Sequence, residues 1–190
     1  MPGREATEFS RAVEALRAAR LRPEVRLTEV PAPQRIAPYA VAMTADVLTS
    51  VDDDDELATG RFVLLFDPSA PEPWSGQWRV VTFARAELEP EFASDPLLGE
   101  VGWTWLTDSL DQRGVDYTAD AGTVTRVVSE SFGGLSDKDP SVEMEVRASW
   151  SPVGGSVADH LLAWSDLLCT IAGLPLAALN LAVLAIPLSF

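Results

Sequence analysis

The ten residues at 141–150, SVEMEVRASW, alternate without a break, with Val142, Met144, Val146, Ala148 and Trp150 on one side and Glu143, Glu145, Arg147 and Ser149 on the other. A period of two marks a strand with one face against a core and the other toward solvent. Such a strand needs a sheet to join and an apolar layer to cover it. Its partner is close at hand. GTVTRVVSESF precedes it, and the turn-forming GGLSDKDP joins the two segments, so an antiparallel hairpin is predicted here.

The remaining elements are read outward from this hairpin. In EATEFSRAVEALRAAR, Phe9, Ala12, Val13, Leu16 and Ala19 recur at helical spacing, and Pro23 sets a limit to this first helix. A short strand near Val25 to Val30 precedes a linker that Pro31, Pro33 and Pro38 keep out of helix. The next strand runs from Tyr39 to Leu48, with Tyr39, Val41, Met43, Ala45 and Val47 on one face. The acidic run Asp52 to Glu56 is read as a loop. After it, Phe62 to Phe66 is apolar throughout, as in a strand buried on both faces. WRVVTFARAELE reads as a long strand that places Arg79, Val81, Phe83, Arg85 and Glu87 on one side. A second helix is predicted with Asp95 as its N-cap and Gly114 at its end, and a third is capped by Ser156, carries the stripe Val157, Leu161, Trp164, Leu168 and Ile171, and stops at Gly173 and Pro175. The fold class expected is α+β: a mostly antiparallel sheet of five or six strands with three main helices, forming one domain over residues 1–175.

The last 24 residues, from Leu167, carry no charge, which raises the question of a membrane anchor. Their first part completes the third helix. Between Pro175 and Pro187 only 11 residues remain, short of the roughly 20 that span a bilayer. Residues 176–190 are therefore expected to dock as a short terminal helix, with no membrane span.

With 14 Lys and Arg against 29 Asp and Glu, the net charge of −15 argues against nucleic acid as a partner, because phosphate backbones require a positive footprint. The single cysteine cannot form an intrachain disulfide and the N-terminus lacks a secretory apolar run, so a cytoplasmic location is expected.

No catalytic signature stands out. His160 is the only histidine, and Cys169 lies nine positions further along the same helix, about 13 Å away, so the two cannot touch. Both are read as structural residues. The acidic run lacks the alternating ligands and glycine of a calcium loop, and the adjacent glycines of GGLSDKDP lack the spacing of a phosphate loop. No catalytic residue, metal or cofactor is expected. Arg79, Arg85 and Arg126 sit on sheet positions where an anion could bind, although cross-strand ion pairs with Glu87 or Glu130 would also explain them. Trp74, in a proline-rich loop, is a candidate partner contact.

Four segments, RPEVRLTEVPAPQRIAPYAVAMTADV, WRVVTFARAELEPEFASDPLLGEVGWTWL, GTVTRVVSESFGG and LLAWSDLLCTIAGLP, resemble an actinobacterial domain family of unknown function, domain of unknown function family 3000, over residues 9–175. The resemblance implies a cytoplasmic bacterial protein and assigns no role to any residue. The tail after Pro175 departs from the family core. The order of elements also looks like that of the small acidic chaperones of type III secretion, which dimerise and bind an extended peptide; a strand at Val25 to Val30 would depart from that order. These features point to a non-enzymatic protein-interaction or chaperone-like module with an unknown protein partner or a second copy of itself. A small-molecule anion-binding domain, or an unrecognised enzyme, is the alternative.

Overall fold

The computed structural model describes residues 2–49 and 55–175. Six strands, β1 (Val25–Val30), β2 (Tyr39–Leu48), β3 (Glu56–Phe66), β4 (Trp78–Leu88), β5 (Tyr117–Ser129) and β6 (Ser141–Pro152), form one sheet in the order β1-β2-β3-β4-β6-β5. Every neighbouring pair is antiparallel. The first four strands form a meander. Helix α2 (Leu98–Gln112) then carries the chain to the far edge, where β5 enters, and the hairpin returns β6 into the gap beside β4.

The alternation of the strands decides which face is covered. Val142, Met144, Val146, Ala148 and Trp150 of β6 join Val41, Met43, Ala45 and Val47 of β2 in the main core, against α1 (Pro2–Ala18), α2 and α3 (Val157–Ile171). All three helices therefore lie on one face of the sheet. The unbroken apolar run of β3 is buried on both sides: Phe62 and Leu64 enter the main core, whereas Val63 and Leu65 form a second cluster with Ala42 on the opposite face. Trp74 and residues 30–40 cover that smaller cluster, and among the described residues no helix covers the rest of the far face.

Both predicted glycine stops end their helices in the same way. Gly114 and Gly173 have φ of 66° and 76°. The Gly114 N–H reaches the Asp111 carbonyl and Val115 the Leu110 carbonyl, while Gly173 and Leu174 repeat the pattern on Thr170 and Cys169. Only glycine takes this left-handed turn without steric cost. Ser156 caps α3 by accepting the Ala158 N–H.

Several boundaries differ from expectation. Glu56 opens β3 because its ladder to Leu48 extends the pairing of β2, and Thr59 donates to Asp46 at 2.7 Å; residues 52–54 of the acidic run, like the tail 176–190, lie outside the described residues. Asp95 ends a 3-10 turn, Pro90–Ser94, and accepts the Leu97 N–H, so α2 starts three residues further on, at Leu98. Strand β5 starts at Tyr117, five residues early, because a bulge between Thr118 and Ala121 absorbs the irregular segment and lets Tyr117 pair with Pro152. The buried side of α3 is wider than one stripe and takes in His160, Ala163, Ser165, Leu167 and Cys169, since neighbouring helices flank it. Finally, β1 adds a strand ahead of the three in the secretion-chaperone order, so the element order departs from that arrangement.

Candidate functional site

The three candidate arginines do not assemble. Arg79 and Arg85 point to the helix-free face of β4, whereas the pairing of Arg126 with Met144 puts it on the helix side. Arg85 donates to Glu143 at 2.5 Å, rather than meeting Glu87. Arg126 reaches over to the Asp95 carbonyl instead of Glu130 and ties β5 to the approach to α2. Arg79 is only 8% exposed and donates to neutral oxygens: the Ala119 carbonyl at 2.7 Å, Ser149 Oγ at 2.7 Å and Ser151 Oγ at 3.0 Å. Burial lowers its pKa from the ordinary value, with nearby Asp120 opposing the shift. Trp74 closes a 3-10 turn, Glu72–Trp74, and packs on the cluster of Ala42, Val63 and Leu65, so it covers the sheet.

His160 and Cys169 are buried on α3. The His160 Nδ1 accepts from Trp150 Nε1 at 3.0 Å, and burial pushes its pKa down to about 4 against the pull of Asp159. The ring is thus neutral at pH 7, with its Nδ1 lone pair engaged. Burial likewise pushes the Cys169 thiol up to about 11, Arg22 opposing, so little nucleophilic thiolate forms. Iodoacetamide at pH 8 should leave Cys169 unmodified in the native protein and label it fully in urea. Native-state labelling at the rate of a free thiol, read by intact mass, would contradict this assignment. Among the described residues, no group of three or more His, Cys, Asp or Glu side chains could hold a metal ion.

Two open features remain, and of the predicted site residues only Arg126 lies on either of them. The first is the free edge of β5. Residues 121–129 pair continuously with β6 on one side, and all but Val124 are exposed. Edge strands usually carry lysine, proline or inward charges that discourage further pairing. Here the one charge, Arg126, is drawn across to Asp95. Beside this edge lies a groove of about 560 Å³ lined by Gly99, Glu100, Trp103 and Thr104 of α2 and by Gly122 and Val124 of β5. Glycine makes the close approach possible, because a Cβ at Gly122 would meet the Trp103 ring at 2.6 Å.

The second feature is a trough of about 450 Å³ on the helix-free face, bordered by Arg61 and Arg147. Strand parity held a signal for both. Arg61 alternates against core Phe62, and Arg147 is on the outward side of the clean β6 pattern, but only the register brings them onto the same row. The groove was less visible, because its two walls come from elements whose packing periodicity does not define.

The family model described as Protein of unknown function (DUF3000) matches residues 5–180. The match includes the first five residues after Pro175, so the start of the apolar tail lies within the family span rather than outside it. Comparison with curated proteins and with solved structures returns no match. Since the match reaches from α1 through all six strands and past α3, the chain belongs to the DUF3000 family of proteins of unknown function.

Proposed function

We propose that the protein is a cytoplasmic, non-enzymatic protein-interaction module that receives an extended segment of a partner along the free edge of β5. The observation carrying this reading is the run 121–129, which no described residue pairs on its outer side and which the α2 groove borders. A strand added there gains main-chain hydrogen bonds from the edge and places alternate side chains in the groove. Trp103 and Val124 favour apolar side chains at those positions. Glu100, with the net charge of −15, favours a basic residue beside them. No described helix is long and apolar enough to cross a membrane.

The test compares wild-type protein with the double variant Thr125→Lys, Glu100→Lys, both residues being exposed. Each is used to capture proteins from extract of the source cells, with quantitative mass spectrometry as the readout. A protein held by wild type and reduced at least about tenfold by the variant, at unchanged melting temperature, supports the reading. Identical recoveries, or none specific to wild type, reject it.

A further inference from the structure

We propose that the helix-free face of the sheet carries a binding site for a small aromatic carboxylate, in the trough between Arg61 and Arg147. Register places Arg61 opposite Phe83 and Phe83 opposite Arg147, so the two arginines lie two strands apart on one row with an aromatic ring between them. At a strand spacing of about 4.8 Å, their backbones are about 10 Å apart. That separation lets two guanidinium groups converge on one carboxylate above the ring. Val63, Val81 and Phe83 give the floor an apolar surface, and Val81 is 40% exposed. Thr123 and Ser149 add hydroxyl groups at one side.

The charges of this face are incompletely used. Arg61 makes one long hydrogen bond, 3.4 Å, to the Pro31 carbonyl, and no described carboxylate pairs with it. Arg147 lies 4.8 Å from the Phe83 ring centre, and its contact with Glu145, at 3.5 Å, is the longest of the described ion pairs. Beneath them, Arg79 is buried on neutral oxygens and shares Ser149 with the trough. A guanidinium held away from water and hydrogen-bonded only to neutral oxygens, with Asp120 nearby but not paired to it, leaves positive potential that an incoming anion can satisfy. This local surplus stands in a chain of net charge −15, so overall charge does not explain it.

The ligand class follows from combining these features. Guanidinium forks match the planar carboxylate, and the apolar floor takes a ring, whereas a bare phosphate would leave that floor uncovered. The volume is in the range of small-molecule sites.

Isothermal titration with 2-naphthoate at low salt tests the site, using 2-naphthalenemethanol and inorganic phosphate as comparison probes. We expect saturable 2-naphthoate binding, at least about tenfold weaker binding of either comparison probe, and a loss of about tenfold or more in Arg61→Gln, Arg147→Gln. Both side chains are exposed, so the double variant should fold, and circular dichroism verifies this. Amide NMR shifts should centre on Val63, Val81 and Phe83. The proposal is overturned by absent 2-naphthoate binding, by affinity unchanged in the folded double variant, by phosphate binding equally well, or by shifts confined to the β5 groove. The β5 reading is unaffected by any of these results except the last.

Discussion

Alanine at Gly60 should cost the fold about 2 kcal/mol or more, and valine about 3 kcal/mol or more, although alanine would stabilise most strands relative to glycine. The reason lies in a depression in the sheet. Ala45, Gly60 and Ala84 face one another across β2, β3 and β4, with Ala58 and Ala86 on the next row. Trp164 of α3 sits in this depression, fully buried, and tilts against Phe62 at 5.7 Å between ring centres. A Cβ at Gly60 would meet Trp164 Cζ2 at 2.6 Å, the Phe83 carbonyl oxygen at 2.5 Å and Leu168 Cδ2 at 3.0 Å. One neighbour is backbone and another a large ring packed on every side, so relief requires α3 to move. Urea unfolding should show a lower midpoint at unchanged slope. Trp164→Phe should rescue part of the loss, giving about 1 kcal/mol of coupling in a double-mutant cycle, because it withdraws the clashing ring. It also removes the indole N–H, which has no hydrogen-bond partner among the described atoms. Alanine within about 0.5 kcal/mol of wild type would show that α3 is not seated by this glycine.

The parts of the fold that could be read from sequence are those in which one residue's neighbours in the chain determine its environment. The β6 alternation, the double-sided burial of β3 and the glycine stops of α2 and α3 are local patterns, and each matches the structure. The differences arise where a distant segment intervenes. The start of β5 depends on a bulge held by Arg79 from β4, forty positions earlier, which donates to the Ala119 carbonyl; Ala119 itself has φ of 53°. Asp95 followed by proline resembles an N-cap, but the preceding 3-10 turn claims it first.

The same distinction governs the candidate sites. Arg79, Arg85 and Arg126 all fall on strands, yet parity alone cannot align strands whose register is unknown. Once β5 is paired to β6, Arg126 turns to the helix side. Arg61 and Arg147 required the same knowledge in reverse, since they become neighbours only through Phe83 on β4. His160 illustrates a different limit. Its place on a helix was evident, but its partner, Trp150, lies on β6 and determines that the ring acts as an acceptor.

Lowering the pH from 7 to 5 should cost the wild-type protein about 2 kcal/mol of stability through His160 alone. The imidazole has an ordinary pKa of 6.5 in the unfolded chain and about 4 in the fold, because burial disfavours its charged form. Above pH 6.5 it is neutral in both states and imposes no penalty. As pH falls below 6.5 the unfolded chain takes up a proton that the native state refuses, and stability drops until the native ring itself protonates near pH 4. Glu24 and Glu29, held below the ordinary 4.5 by Arg22 and Arg17, lose their stabilising charge only at lower pH, so measurements from pH 7 to 5 separate the two effects. For a chain of this size, 2 kcal/mol corresponds to a fall of about 4–8 °C in melting temperature. His160→Gln retains an acceptor for the Trp150 N–H and removes the titration. Its melting temperature should therefore be much flatter across this window, even if the starting value is lower. Parallel slopes for the variant and wild type would place the pH sensitivity elsewhere and remove His160 from this role.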